Sequence, residues 1–315
     1  QEKKFALYSV AFYNMENLFD TIHDEGKNDY EYLPNGTNQW NTMKYKAKLK
    51  NMSEILSMLS TDKLPMGPAI IGVSEIENYR VLEDILKQPA LADRGYQYVH
   101  YEGADQRGVD CAFFYNPKLF ELTNSKLVPY VYINDTVHKT RGFLIASGNI
   151  AGEKMHFIVN HWPSRAAASP ARERAGEQVR AIKDSLLRED SAAKIVIMGD
   201  MNDDPMDKSM AVALGAKRKP ADVGPTDLYN PWWDTLKKGY GTLMYKGKWN
   251  LFDQIVFTGN LLGTDRSTLK FYKHEIFRRD FMFQKEGKYK GYPKRTQAGG
   301  VWLNGYSDHL PTIIY

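Results

Sequence analysis

Cysteine is nearly missing from this chain: Cys111 is the only one in 315 residues. No internal disulfide is therefore possible, and cysteine usage leaves the redox compartment open. Cys111 leads into the apolar stretch Ala112-Phe113-Phe114-Tyr115, which suits a buried, inert thiol rather than a nucleophile. No apolar run reaches the roughly 18 residues that a membrane-spanning helix needs. Neither charge sign dominates, the formal net charge being +4. Low-complexity segments are missing, as are a G-x-S-x-G elbow, a P-loop and an H-E-x-x-H pair, since His274-Glu275 has no second histidine. Gly239-Tyr240-Gly241 lacks the third glycine and the preceding strand of a dinucleotide site. Ser164 near His161 and Ser307 near His309 are sequence neighbours, which does not make a triad. The chain starts at Gln1 without a methionine, which suggests a processed N-terminus and leads us to expect a periplasmic or secreted protein.

What is present is a hydrophobic content of 43% with 13% aromatics, ample for a large core. The most informative stretch is Lys194-Ile195-Val196-Ile197-Met198, an apolar run that ends on Gly199-Asp200-Met201-Asn202. It is short and β-branched, which predicts a buried strand rather than a helix. Side chains at i and i+2 of an extended segment point the same way, so Asp200 and Asn202 can share one metal, water or phosphate. Asp, Asn and Gly are also ordinary turn residues, so this stretch decides nothing alone. The pattern recurs, however. Ile70 to Val73 ends on Ser74-Glu75, Met155 to Val159 on Asn160-His161, and Tyr8 to Phe12 on Tyr13-Asn14. Asp253 heads the strand that runs to Phe257, and Asp308-His309 precedes the closing strand Thr312 to Tyr315. Polar residues at so many strand ends predict one site at an edge of an α/β sheet.

The residue types restrict the chemistry. Asn14, Glu75, Asp200, Asn202 and Asp308 form an oxygen-rich set that suits a hard divalent cation such as Mg²⁺ or Mn²⁺. His161 and His309 move protons near neutral pH. An oxygen-ligated cation beside two imidazoles fits attack of water on a phosphate ester.

The ordered set Tyr13-Asn14-Met15-Glu16-Asn17, Ser74-Glu75, Asn160-His161-Trp162-Pro163, Gly199-Asp200-Met201-Asn202, Phe252-Asp253-Gln254 and Ser307-Asp308-His309 resembles the endonuclease/exonuclease/phosphatase superfamily. The match extends from residue 14 to residue 309. It implies a four-layer α/β/β/α sandwich, two mixed β-sheets face to face with helices outside. Because the motifs span both halves, one domain over 1–315 is expected, although 315 residues could hold two domains of average size. The resemblance implies that Asn14 and Glu75 lie on the metal side with Asp308, Glu75 being the principal ligand. Asp200 then orients or deprotonates the attacking water, and Asn202 contacts phosphate. His309 contacts the scissile phosphate with Asp253 on its other ring nitrogen, while His161 acts on the leaving-group side. Asp110 is the expected orienting acid for His161. Nuclease members often carry an Asn where this chain has Ser164. Ser164 and Arg165 are therefore the expected phosphate-binding pair, and a strict nuclease assignment does not follow.

The expected activity is that of a Mg²⁺- or Mn²⁺-dependent phosphodiesterase or nuclease acting as a monomer, with nucleic acid as first substrate. A phospholipid or sphingomyelin phosphodiesterase and a phosphatase of a soluble phosphate are alternatives. A catalytically inactive nucleic-acid or polyanion-binding protein is the reading from another class. The stretch from Arg266 to Arg295 interleaves lysines and arginines with Phe271, Tyr272, Phe277, Phe281, Phe283, Tyr289 and Tyr292. Such a stretch suits an anionic partner or, equally, half-buried strands with solvated lysines. Helices are predicted over residues 42–59, 79–91 and 170–187, the first with Lys44, Lys46, Lys48 and Lys50 in solvent. Trp232-Trp233 is expected to pack rather than line a cleft.

Overall fold

A computed structural model describes residues 3–315, so the expectation drawn from Gln1 lies outside the described residues. The chain alternates strands and helices: β1 (Val10–Leu18), α1 (Thr42–Met58), β2 (Ile70–Ile76), α2 (Tyr79–Leu86), β3 (Gln97–Val99) and β4 (Asp110–Tyr115). There follow β5 (Glu121–Val128), β6 (Phe143–Ile150), β7 (Glu153–His161), α3 (Ser169–Glu189), β8 (Lys194–Asp200), β9 (Ala216–Lys217) and β10 (Leu228–Tyr229). The last third holds α4 (Trp233–Lys237), β11 (Leu243–Tyr245), β12 (Lys248–Asn250), β13 (Asp253–Thr258), β14 (His274–Ile276), β15 (Gln297–Ala298), β16 (Val301–Trp302) and β17 (Thr312–Ile314).

Two large sheets result, ordered β14-β17-β1-β2-β4-β3 and β5-β6-β7-β8-β13-β10-β9, with β11-β12 and β15-β16 as separate hairpins. Both are mixed, because β1–β2 and β7–β8 pair parallel while their flanking strands pair antiparallel. The period of two along each strand creates the layers. Phe12, Ile70 and Phe113 of the first sheet meet Phe157, Val159, Val196 and Met198 of the second in the central core. The alternate residues face outward: Ala11, Tyr13, Ile71 and Val73 against α1 and α2, and Ile158, Ile195 and Ile197 against α3. This is the expected α/β/β/α sandwich. Gly72 marks how closely the sheets approach, since a Cβ there would lie 2.5 Å from Met198 Sδ.

Helix boundaries follow local chemistry. Asn41 caps α1 by accepting the Lys44 N–H at 3.0 Å. The second helix stops at Leu86 rather than 91, because Pro89 disfavours helical backbone at Gln88. Lys48 departs from its expected solvated position. It is buried, donating to Thr296 Oγ1 and, at 3.3 Å, to the Tyr306 carbonyl. Trp232 is buried as expected, its indole N–H donating to the Ile255 carbonyl at 2.9 Å. Among the described residues no helix is long and apolar enough to cross a membrane.

Strand direction gathers the polar residues. The parallel pairs carry Asn14, Glu75, His161 and Asp200 at their carboxyl ends. β13 runs antiparallel to β8 with Asp253 paired to Asp200, and β17 starts beside Phe12, so their preceding segments reach the same edge.

Candidate active site

Backbone irregularity aims the first acids. Register shifts interrupt β1–β2 pairing after Asn14 and β2–β4 pairing after Val73. Glu16, Asn17, Glu75 and Asn202 all adopt left-handed backbone, with φ of 43°, 50°, 58° and 50°. Such conformations are costly for glutamate and cluster at sites where side chains must be re-aimed. Asn14 ties the acids together, donating from Nδ2 to Glu75 Oε2 at 2.6 Å and to Asp200 Oδ2 at 3.0 Å. Its own carbonyl oxygen accepts the Glu16 N–H at 2.8 Å, so Asn14 braces the carboxylates here. The Asn202 N–H donates to Asp200 Oδ1 at 3.0 Å, and the Asn202 amide to the Trp162 carbonyl at 2.8 Å.

Both imidazoles converge on Asp200. Its Oδ2 lies 3.5 Å from His161 Nε2 and 3.9 Å from His309 Nε2. His161 Nε2 is also 3.9 Å from Glu75 Oε2. His309 Nδ1 meets Asp253 Oδ2 at 2.7 Å, and the same oxygen accepts Thr242 Oγ1 at 2.5 Å. Asp308 Oδ1 stands 3.9 Å from His309 Nε2, buried and without a protein partner among the described residues. The site thus brings together Asn14, Glu75, His161, Asp200, Asn202, Asp253, Asp308 and His309.

The two histidines differ electrically. Burial drives His161 well below the ordinary imidazole range, with Arg141, Arg107 and His309 adding to the effect. Burial acts the same way on His309, but the carboxylates of Asp253, Asp308 and Asp200 outweigh it and hold this ring well above that range. His309 is therefore cationic and His161 neutral at neutral pH. Burial pushes the Asp200 carboxyl up to about 7, with Asp253 and Glu75 adding and His309 opposing.

Three expected site residues are placed differently. Asp110 Oδ2 pairs with His100 Nε2 at 2.9 Å and its Oδ1 accepts the Gly103 N–H at 3.1 Å. His161 Nδ1 has no partner among the described residues, so Asp110 does not orient it. Arg165 is already engaged. Its Nε donates to the Asn202 carbonyl at 3.2 Å, and its Nη2 pairs with Asp207 at 3.0 Å and Asp203 at 3.4 Å. That acidic loop occupies the fork intended for phosphate. Ser164 is exposed, and its carbonyl accepts from Arg172 at 3.0 Å.

Other contributors are new. Glu16 accepts the Asp308 N–H at 2.9 Å and the Thr296 N–H at 3.2 Å, so it holds the segment that presents Asp308-His309. Its i+2 spacing from Asn14 was the available sequence signal. Arg295 bridges Glu16 and Asp308 at 3.4 and 3.5 Å. Arg141 clamps the His161 and Trp162 carbonyls at 3.2 and 2.9 Å. Neither arginine, nor Thr242, carries a local sequence signal. Beside Asp308, a cleft of ≈ 960 Å³ opens between the β11-β12 hairpin and the 284–300 segment.

The donor set fits a hard cation. Glu75, His161 and Asp200 offer ligand atoms within 4.8 Å of one another, and the unpartnered Asp308 Oδ1 adds a buried oxygen.

The fold recurs in solved structures of low sequence identity. Bacteroides thetaiotaomicron mannosyl-6-phosphatase Bt3783 is 14% identical with a TM-score of 0.60, covering 98% of this chain and 99% of that one. D. rerio TDP2 complexed with single-strand DNA product is 15% identical with a TM-score of 0.55, covering 98% and 97%. The human Nocturnin catalytic domain with bound sulfate is 14% identical with a TM-score of 0.56, covering 98% and 93%. None of the curated proteins matches in sequence. The sequence model described as Endonuclease/Exonuclease/phosphatase family matches residues 9–315, and the chain, with its sandwich and converging site, belongs to that family of phosphoester hydrolases.

Proposed function

We propose that this chain is a divalent-metal-dependent hydrolase of phosphate esters that uses activated water and forms no covalent intermediate. The observation that carries the reading is the convergence on Asp200 Oδ2 of Asn14 Nδ2 at 3.0 Å, His161 Nε2 at 3.5 Å and His309 Nε2 at 3.9 Å. Glu75 and Asp308 are the carboxylates to hold Mg²⁺ or Mn²⁺, which when bound offsets phosphate charge. Asn14 keeps Glu75 and Asp200 at one fixed spacing. Asp200 takes the proton of the attacking water at Oδ2, its raised proton affinity bringing it close to operating pH. Cationic His309, held by Asp253, donates to a phosphate oxygen and stabilises the negative charge that develops there. Neutral His161, with its proton on Nε2, donates to the esterified oxygen on the other side of the phosphorus, and the alkoxide released as the P–O bond breaks is protonated from solvent.

A compact soluble ester is the substrate this geometry supports best. Several cations of the stretch from Arg266 to Arg295 are already engaged. Arg278 lies over Trp249 and Phe283 at 5.1 and 4.9 Å, Arg279 pairs with Asp62 at 3.0 Å, and Lys270 donates to the Asn260 carbonyl at 3.0 Å. A nucleic-acid phosphodiester is the second reading, and the D. rerio structure with its single-strand DNA product favours it.

The test is a panel of p-nitrophenyl phosphate, bis-p-nitrophenyl phosphate, hexose phosphates and single-stranded DNA, each with Mg²⁺, with Mn²⁺ and with chelator. Asp200→Asn is expected to lower kcat by about 10²- to 10³-fold on any ester that is cleaved. Unchanged turnover in that variant, or full activity in chelator, refutes the mechanism.

A further inference from the structure

Lys48 takes no part in the chemistry of the site, yet it is a cation folded into the interior beside it. It sits on α1 with 1% of its surface exposed, and it forms no ion pair among the described residues. A buried ammonium is unfavourable unless hydrogen bonds and nearby opposite charge offset its desolvation. Both come from the catalytic side of the helix. Thr296 Oγ1 and the Tyr306 carbonyl accept its hydrogen bonds, the latter at 3.3 Å. Burial lowers its proton affinity, and the carboxylates of Glu16, Asp308 and Glu75 oppose that effect.

From Lys48 the hydrogen bonds lead to the catalytic residues in two steps. Thr296 Oγ1 also donates to the Tyr306 carbonyl at 3.0 Å, so Lys48 closes a triangle between two stretches of chain. The Thr296 N–H donates to Glu16 Oε2 at 3.2 Å, and Glu16 Oε1 accepts the Asp308 N–H at 2.9 Å. Ser307 Oγ donates to the Asn14 carbonyl at 2.6 Å and accepts the His309 N–H at 3.1 Å. Asn51, three residues after Lys48 on the same helix face, donates to the Gly305 carbonyl at 2.8 Å. Helix α1 thus grips the run into Asp308-His309 twice. The grip matters because the chain between Ile276 and Thr312 adds no strand to either large sheet. Placement of that segment falls to side-chain bonds. Thr296 and Asp308 line the cleft, and Lys48 stands behind its wall, touching Thr296 without lining it.

We propose that Lys48 is a positioning residue for hydrolysis: through Thr296 and the Tyr306 carbonyl it fixes the segment that carries Asp308 and His309. This rests on the phosphoester-hydrolase reading above. The segment supplies a metal-side carboxylate and the imidazole that meets charge developing in the transition state, so loosening it falls on turnover. A misplacement of about 1 Å at reacting groups lowers a rate by about 10²-fold.

The experiment measures kcat and KM with Mg²⁺ for wild type, Lys48→Met, Thr296→Val, the double variant and Lys50→Met, on the best ester of the panel. Lys48→Met keeps the apolar stem and Thr296→Val the side-chain shape. Lys50, paired with Glu54 in solvent, is the control and should match wild type. Thermal unfolding checks each fold. Each of the first two variants is expected to lower kcat about 10- to 10²-fold with KM within about threefold. The double variant should lose no more than the worse single, because the two residues act as one unit. A kcat within about threefold of wild type in folded Lys48→Met overturns the proposal. So do losses that multiply in the double variant, or a KM that rises while kcat holds. If one single variant does not fold, the other decides by the same limits. If wild type cleaves no ester, the hydrolase reading falls and amide hydrogen exchange decides the positioning separately. Faster exchange at the Asp308 and His309 N–H groups in either variant, with β7 and β8 unchanged, upholds it, and unchanged exchange there overturns it.

Discussion

Replacing Asp253 with Asn keeps the shape of a fully buried side chain while deleting its charge. Asp253 Oδ2 is 2.7 Å from His309 Nδ1, and Asp253 is the largest of the acids that raise this imidazole. At an effective dielectric near 20, unit charges roughly 4 Å apart interact by about 4 kcal/mol. That is about three orders of magnitude in a protonation equilibrium. Asp308 and Asp200 stay in place but lie farther away, each 3.9 Å from Nε2. Burial, which lowers His309, then gains the upper hand, and the ring loses its proton near neutral pH. The expected result is a fall in kcat of about 10²- to 10³-fold, the cost of removing one preorganised donor. Thr242 Oγ1 still has the Asn carbonyl to donate to, so the local fold should hold, checked by thermal unfolding. The assay is a pH–rate profile on the best ester of the panel, with the His309 ring followed by NMR. In wild type the cationic ring should persist throughout the neutral range; in the variant it should titrate there or below. A variant with kcat within about threefold of wild type and an unmoved His309 titration refutes the assignment of a charged His309 to catalysis.

Asp110→Asn should leave kcat within about threefold, because Asp110 serves His100 instead of His161; a loss of 10²-fold would show coupling that the hydrogen bonds do not carry. Glu77 is buried beside Asp20, Asp24 and Asp29, and burial first, then those acids, pushes its carboxyl up to about 10. The folded chain thus holds a proton that the unfolded chain releases above its ordinary value of 4.5, so stability from this group is lost as pH rises towards 10, by about 1.4 kcal/mol per pH unit. Glu77→Gln should flatten that fall in urea unfolding from pH 5 to 8, and an unchanged slope would sink the argument. A Cβ at Gly199 would run into the Asn160 carbonyl, so Gly199→Ala should destabilise by about 2 kcal/mol or more in the same assay.

Short patterns made much of the site legible. Asn14, Glu75, His161 and Asp200 each sit at the end of an apolar run and Asp308-His309 just before one, and that pattern is local information. The Asp253–His309 pair spans 56 residues, and it came from the family resemblance rather than from spacing. Its physical basis is register: β13 lies antiparallel to β8 with Asp253 opposite Asp200. Asp110 shows where the reading fails. It does lie at the site's end of β4, opposite Ile76. But β3 pairs antiparallel to β4 with Val99 opposite Phe113, which delivers His100 to it before His161 can reach. Lys48 fails for a similar reason. Its helix position reads as solvated, yet a segment 248 residues later folds over it with Thr296.

The sequence by itself determined the alternation of strands and helices and the polar residues at the strand ends, because both are set by neighbours along the chain, while the layered sandwich was implied by the family resemblance that its motifs carry. The tertiary structure alone decided the charge states of His161 and His309, the capture of Arg165 by its acidic loop, the brace through Glu16 and Arg295, and the cleft beside Asp308. Each of these depends on burial and on which distant charge comes within a few ångströms, and chain order carries neither.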